Sequence, residues 1–136
     1  MIIFLDTCAL IYLIEGKTTL VDRVRSKIAE TVRAHPGSEV AVSRLTWLEV
    51  RVKPLKTKNH STLALYDEFF AQRDLIWVEL TRDVVELATV VRARHGLRTP
   101  EALQAASCLQ LGQGHLFFTG DTAFRKVAGL NVVVLS

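Results

Sequence analysis

The sequence predicts a three-layer α/β/α sandwich around a central, mainly parallel β-sheet. Short runs of almost entirely apolar residues alternate with longer segments of helical periodicity along the whole chain. Strands that lack polar alternation are typical of a sheet covered on both faces, and the intervening helices would supply that cover. A chain of 136 residues is long enough for one domain with a full core, so residues 1–136 are predicted to form a single domain.

The first half of the chain is predicted to contain two strands and four helices. The first strand covers Ile2 to Leu5, and a short helix begins after Asp6. A longer helix covers roughly Leu20 to Ala34, with Thr18 and Thr19 as candidate caps, and the segment HPGSE ends it. The elements that follow are the strand Val40 to Val42, the helix RLTWLEV capped by Ser43, a polar loop KPLKTKNH, and a helix from Ser61 to Gln72.

The second half continues the same alternation. LIWVEL is predicted as a strand and is followed by two helices. The first runs from about Asp83 to His95 and ends at Gly96, and the second runs from about Pro100 to Leu111, between Thr99 and Gly112. The segments HLFFT and NVVVL complete the predicted strands.

Composition and charge exclude several classes of protein. The hydrophobic fraction of 49% and the charged fraction of 23% are those of a globular protein, and the net charge of +3 suits contact with a polyanion without requiring it. Cys8 and Cys108 are far apart and form no zinc-binding motif. The apolar N-terminal segment carries Asp6, lacks a basic start and is too short to span a bilayer. We therefore expect a cytoplasmic protein that does not enter a membrane.

Two acidic residues directly follow predicted strands. Asp6 comes after the first strand, and Asp121 comes after HLFFT, where Gly120 allows a sharp turn. In open α/β sheets, functional sites form at the carboxyl ends of strands near a topological switch point. Each acid also has a purely local explanation, because Asp is a favoured N-cap for the helix that follows it.

Two further acids lie on helices. At helical spacing, Glu49 falls beside Leu45, Leu48 and Val52, on a face that we expect to be buried, although an ion pair with Arg51 or Lys53 would also explain it. Glu101 opens a helix, where the dipole favours an acid. It also begins a stripe of small residues, with Ala105 and Cys108 at the next positions of the same face, which would turn its carboxylate inward.

Together, the four acids predict a cation site. No buried basic partner is evident for them, and an unpaired buried carboxylate is costly. Oxygen donors without thiolates or well-spaced histidines suit a hard ion such as Mg²⁺ or Mn²⁺. Such an ion acts on phosphate esters by polarising the phosphoryl oxygen and acidifying water.

The segments that carry these acids resemble PIN-domain nucleases, especially the VapC-like toxins of toxin-antitoxin pairs. FLDTCALIYL, the S..T..E pattern of SRLTWLEV, RTPEALQAA and FFTGDTAF occur in the family's order over nearly the whole chain. The resemblance implies a metal-binding catalytic site at Asp6, Glu49, Glu101 and Asp121, with Thr7 and Thr119 as supporting residues. One position departs from the family pattern, which usually has Asp where this chain has Glu101.

The resemblance also implies an activity and partners. It implies a metal-dependent endoribonuclease acting on structured RNA, a homodimer, and inhibition by a cognate antitoxin protein. Two alternatives remain open from the sequence. One is a catalytically degenerate PIN-type RNA-binding or scaffold module, which the glutamate at position 101 keeps in play. The other is an RNA-processing nuclease that has no antitoxin.

Two basic segments flank the predicted acids and are candidates for RNA binding. Lys and Arg along a phosphate backbone supply affinity with little sequence selectivity. Ordinary solvated surface is the alternative for both segments. The aromatic residues Trp47, Phe69, Phe70 and Trp77 are predicted to belong to the core. The candidate RNA-binding residues are Arg51, Lys53, Lys56 and Lys58 in the first segment and Arg94 and Arg98 in the second.

Overall fold

A single sheet of five parallel strands forms the centre of the computed structural model, which describes residues 1–135. The strands are β1 (Ile2–Leu5), β2 (Glu39–Ser43), β3 (Ile76–Val78), β4 (His115–Thr119) and β5 (Val132–Val134). Their spatial order is β3-β2-β1-β4-β5, and every neighbouring pair is parallel. The predicted parallel sheet is confirmed.

In the part of the chain that the structure describes, six helices cover the two faces of this sheet. They are α1 (Thr7–Glu15), α2 (Thr18–Ala34), α3 (Arg44–Lys56), α4 (His60–Phe70), α5 (Arg82–His95) and α6 (Thr99–Leu109). A short 3₁₀ segment, Thr122–Lys126, follows β4. Within residues 1–135, none of the helices combines the length and the apolar character needed to cross a membrane.

The pleat of the strands divides the core into two layers. Phe4 and Phe117 lie side by side on neighbouring strands, with stacked rings 5.5 Å apart, and pack toward α5 and α6. Ile3, Leu5 and Phe118 point to the opposite face and pack toward α1, α2, α3 and α4. Because successive side chains of a strand alternate between faces, strands that are apolar throughout supply both layers.

The strand order creates a topological switch point beside Asp6. The chain goes from β1 to β2 and β3 on one side, and then crosses to β4 and β5 on the other side of β1. The connections that leave β1 and β4 therefore diverge at the carboxyl edge of the sheet. Asp6 directly follows β1, and Asp121 lies two residues after the end of β4.

The prediction of a loop over KPLKTKNH is wrong for its first four residues, Lys53 to Lys56. Helix α3 continues to Lys56 with Pro54 inside it, and the ring of Pro54 is buried. A proline in a helix removes one backbone hydrogen bond. Here apolar burial of the ring offsets that loss. The consequence is that Lys53 and Lys56 lie on a rigid helix and not on a loop.

Several local expectations for caps and faces are also corrected. Helix α2 begins at Thr18 after Lys17, and α6 begins at Thr99 after Arg98, so the predicted threonine caps lie inside the helices and no side chain caps either start. The inward face of α3 consists of Thr46, Val50 and Pro54. The expected neighbours of Glu49 on a buried face, Leu48 and Val52, are exposed.

One aromatic residue lies further out than predicted. Phe70 is buried, and Phe69 and Trp77 are half-buried, but Trp47 is 38% exposed. Its ring packs on Phe70 at 5.1 Å on one side, and the guanidinium of Arg51 lies over it at 4.4 Å on the other. Arg51 thus covers part of the indole, because its stem and planar head group pack well on an aromatic face.

Candidate active site

A cavity of about 320 Å³ lies at the carboxyl edge of the sheet, at the switch point. Its walls come from the start of α1, from α3, from the first turns of α6 and from the segment after β4. All four acids selected from the sequence line it: Asp6, Glu49, Glu101 and Asp121. Thr7, Cys8 and Gln104 contribute to the same walls.

Asp6 is both a helix cap and a cavity residue. Its Oδ1 accepts the backbone N–H of Ala9 at 2.8 Å, which is the N-cap contact expected from its position. It is nevertheless only 4% exposed. Burial raises the pKa of Asp6 from 3.8 to about 6, with smaller contributions in the same direction from the charges of Asp121 and Glu49. A hydrogen bond with the Thr119 hydroxyl opposes the rise.

Asp121 has the same local geometry but is exposed to solvent. Its Oδ1 accepts the backbone N–H of Ala123 at 2.8 Å, and its own N–H donates to the hydroxyl of Thr119 at 3.0 Å. Thr119 thus contacts both strand-end acids, one through the backbone of Asp121 and one through the carboxylate of Asp6. The supporting role expected for Thr119 stays a prediction.

Gly120 is needed because a side chain would not fit at this position, and not because of its backbone angles. Its φ lies outside the left-handed region, so the sharp turn expected from the sequence is not what requires glycine. A Cβ at this position would come within 2.4 Å of the Tyr12 hydroxyl and 2.8 Å of the Cys8 sulfur. The strand end that carries Asp121 therefore packs directly on α1. Burial raises the pKa of the Cys8 thiol at this contact, so the thiol stays protonated at neutral pH.

Glu49 reaches the cavity from α3 and is held from one side. Its Oε1 accepts the hydroxyl of Thr7 at 2.6 Å and lies 3.3 Å from the Nε2 of Gln104. The alternative of an ion pair with Arg51 does not hold, because Arg51 pairs with Asp67. Thr7, predicted only as a supporting residue next to Asp6, contacts a different acid of the site.

Glu101 is turned partly inward, as the small-residue stripe predicted. Ala105 and Cys108 on the same face of α6 are fully buried. One carboxylate oxygen, Oε1, accepts from the guanidinium of Arg98 at 3.2 Å, whereas Oε2 is buried without a hydrogen-bond partner. Arg98 is itself largely exposed, so this pair is a weak one.

The donor set fits a hard divalent cation. All four acids offer carboxylate oxygens, and the buried, unpartnered Oε2 of Glu101 is an acceptor for which the described residues supply no donor. In residues 1–135 as arranged, no three His, Cys, Asp or Glu side chains converge closely enough to hold one ion. Carboxylates that share a cavity repel one another when no cation lies between them, so we expect the four acids to stay apart without an ion.

Three of the basic candidates lie close in the structure to acids of the cavity, since Lys53 and Lys56 share helix α3 with Glu49 and Arg98 pairs with Glu101. Lys53 and Lys56 follow Glu49 on α3 by four and seven residues, so they continue its face of the helix. Both are exposed, as are Lys58, Arg94 and Arg98. Arg51 is the exception among the candidates, since its guanidinium is already engaged by Asp67 and Trp47.

Two buried polar residues near Glu49 were not selected as site residues from the sequence. Gln104, on α6, and Thr46, on α3, are buried and hydrogen-bonded to each other at 2.9 Å below Glu49. One signal was available for Gln104, because an amide three residues after Glu101 lies on a face otherwise made of small and apolar residues. Thr46 is the threonine of the S..T..E pattern in SRLTWLEV, so the resemblance marked the position, although no role was assigned to it from the sequence.

Comparison with known proteins gives a family and several similar folds. A sequence model described as the PIN domain matches residues 3–130. The fold resembles a chain in the solved structure of VapBC2 from Rickettsia felis bound to a promoter DNA fragment, with 15% identity, 100% of each chain covered and a TM-score of 0.80. It also resembles a chain of a toxin-antitoxin complex from Klebsiella pneumoniae, with 24% identity, 98% of this chain and 97% of that chain covered, and a TM-score of 0.66. A third similar structure is FitAcB from Neisseria gonorrhoeae, with 18% identity, 96% of this chain and 95% of that chain covered, and a TM-score of 0.68. Comparison with curated protein sequences finds no match.

Proposed function

The chain belongs to the PIN-domain family, and from that premise we propose that it is a metal-dependent endoribonuclease. The observation that carries the proposal is the meeting of four acids from four separate segments in one cavity at the switch point of the sheet. Local capping explains Asp6 and Asp121 singly, but it does not explain why Glu49 and Glu101 line the same cavity from two other helices.

The four acids are proposed to hold Mg²⁺ or Mn²⁺. When bound, such an ion polarises a phosphoryl oxygen and lowers the pKa of water, which supplies the chemistry of phosphodiester hydrolysis. The protein's own contribution is to keep the carboxylates in place. Backbone N–H groups fix one oxygen of Asp6 and one of Asp121, and the Thr7 hydroxyl fixes one oxygen of Glu49. Three of the four carboxylates are therefore oriented before an ion arrives.

The substrate is proposed to be structured RNA that crosses the cavity between the two basic segments. Lys53 and Lys56 extend along α3 from Glu49, about 6 Å and about 10 Å further along the helix axis at 1.5 Å per residue. Arg98 stands on the opposite side, beside Glu101. Phosphate contacts of this kind fix the position of the backbone and leave sequence selectivity to other features.

The biological role is proposed to be that of a toxin with a cognate antitoxin. Three of the similar folds come from structures described as VapBC2, a toxin-antitoxin complex and FitAcB, and the similarity to the first of them extends over the full length of both chains. A homodimer in the cytoplasm belongs to the same proposal. An RNA-processing nuclease without an antitoxin is the alternative role.

A degenerate binding module is the second candidate function, and one observation favours it. Glu101 is paired with Arg98, and no three potential ligands in residues 1–135 converge on one point. If the acids cannot be drawn together by an ion, the chain would bind RNA without cutting it. The two candidates differ in a single measurement, which is turnover in the presence of metal.

The decisive experiment is incubation of the purified protein with total RNA in Mg²⁺, in Mn²⁺ and in EDTA. Discrete products should form with either metal and disappear with chelator. The variant Asp121→Asn should bind RNA without cleaving it, whereas the matched control Glu30→Gln, which removes an acid on α2 outside the cavity, should cleave like the parent. Cleavage that persists in EDTA would contradict the metal mechanism, and binding without cleavage under every condition would establish the degenerate module.

A further inference from the structure

Four polar side chains from three helices meet at one wall of the cavity. Gln104 on α6 is 3% exposed, and its Nε2 lies 2.9 Å from the hydroxyl of Thr46 and 3.0 Å from that of Thr7. The two hydroxyls are 3.1 Å apart. Thr7 then contacts Glu49 at 2.6 Å. The cluster thus connects the core of α6 to a carboxylate of the proposed site.

The chemistry of the end groups fixes the direction of every hydrogen bond. A carboxylate only accepts, so the Thr7 hydroxyl must donate to Glu49. Thr7 is then an acceptor for its other neighbours, which makes the Thr46 hydroxyl a donor to it. The amide of Gln104 supplies the remaining protons, to the two hydroxyls and, at the longer distance of 3.3 Å, to Oε1 of Glu49 itself. The result is a chain of donors that begins at Gln104 and ends at one oxygen of Glu49.

This orientation of Gln104 has an energetic cost. Its amide oxygen, Oε1, is buried and has no hydrogen-bond partner. Turning the amide over would place that oxygen near Glu49 at about the 3.3 Å now spanned by Nε2, where two acceptors would repel each other. Buried polar groups without partners are rare in native proteins and call for an explanation. Holding the carboxylate supplies one.

We propose that Gln104 is a positioning residue that orients Glu49 for divalent metal binding, both directly and through the hydroxyls of Thr7 and Thr46. The inference rests on the proposed function, since it assigns to Glu49 the role of a metal ligand. Side chains that hold metal ligands through hydrogen bonds typically change metal affinity about 10-fold to 100-fold when they are replaced.

The test measures Mn²⁺ affinity directly, by electron paramagnetic resonance titration without RNA. Gln104→Met keeps the length and volume of the side chain but removes the amide, and it should raise the dissociation constant of Mn²⁺ about 10-fold or more. Thr46→Val removes one of the two contacts that the Thr7 hydroxyl accepts, and it should act in the same direction with a smaller effect. The matched control is Ser107→Ala, which removes a buried hydrogen bond from α6 to Ser43 one turn away and should leave Mn²⁺ affinity unchanged.

Thermal melts in EDTA separate this role from a structural one. Because the methionine also removes the unpartnered Oε1, Gln104→Met should melt close to the parent without metal and lose most of the parent's stabilisation by Mn²⁺. Equal Mn²⁺ affinity in the parent and in both chain variants would overturn the inference and leave the proposed function standing. A parent that binds no Mn²⁺ would overturn both. Weaker binding in Ser107→Ala as well would show that the effect is general loosening of α6, and would also overturn the inference.

Discussion

Replacing Asp6 by asparagine should stabilise the metal-free protein. Asn is as good an N-cap as Asp, so the contact with the Ala9 N–H is retained. What the change removes is a buried negative charge beside Asp121 and Glu49. A surface cap would behave differently, because loss of an exposed charge at a helix start is neutral or slightly destabilising.

The expected gain follows from the pKa of Asp6. A rise from 3.8 to about 6 means that ionising this group disfavours folding, by about 1.4 kcal/mol for each unit of pKa. The full difference is about 3 kcal/mol and is an upper limit for Asp6→Asn at neutral pH. A realised gain of about 1 to 2 kcal/mol would raise the melting temperature by roughly 4 to 8 °C in a chain of this length.

The pH dependence has a definite sign. Because the folded-state pKa lies above the unfolded one, the penalty in the parent is absent below about pH 4, grows between about pH 4 and 6, and stays constant above that. The advantage of Asp6→Asn should therefore vanish as the pH falls through that window. Asp121→Asn is the matched control, since it also replaces a capping acid but an exposed one, and it should give a smaller gain.

Melting curves in EDTA and in Mg²⁺ test the reasoning. Mg²⁺ should reverse the ranking, since it stabilises only the form that binds it, by about 2.7 kcal/mol at 100 times its dissociation constant. An Asp6→Asn variant that melts no higher than the parent in EDTA at pH 7, or whose advantage persists at pH 3.5, would refute the account of Asp6 as a buried acid of a cation site.

Three more changes test other parts of the structure. Replacing Lys53 and Lys56 together by glutamine should weaken RNA binding and reduce the slope of log affinity against log salt by about 1.4, measured by filter binding, if each lysine neutralises one phosphate of a single strand. Gly120→Ala should reduce cleavage, assayed on total RNA, with little loss of fold by circular dichroism, because its methyl group must displace the Tyr12 hydroxyl at the strand end that carries an acid of the site. Tyr66→Phe should cost about 1 kcal/mol in urea unfolding, since it removes a hydrogen bond to a carboxylate of α1 and keeps the buried ring; an unchanged midpoint would contradict that bond.

The sequence was sufficient for the layers and for the location of the acids. HLFFT gave the bounds of β4 without error, because Gly114 and Gly120 flank a run whose centre is entirely apolar, as expected of a strand in a covered sheet. Asp6 and Asp121 followed strands that had to be parallel, so their shared edge was predictable. The sequence was least informative at α3, where Pro54 and its basic neighbours read as a loop although burial of the proline ring keeps the helix intact.

Asp6 shows what the sequence determined by itself and what only the tertiary structure decided. The sequence by itself determined that an acid stands between a buried strand and a helix, and it offered a cap and a metal ligand as alternatives. Tertiary structure alone decided that one oxygen of Asp6 caps α1 while the group is buried beside acids from distant segments, which raises its pKa. Its role as a metal ligand stays a proposal. Tertiary structure also decided the contacts of Gln104 with Thr7 and Thr46, which span 97 and 58 positions along the chain. Local periodicity reports which face a residue occupies, but only packing of helices against one another decides which polar groups meet there.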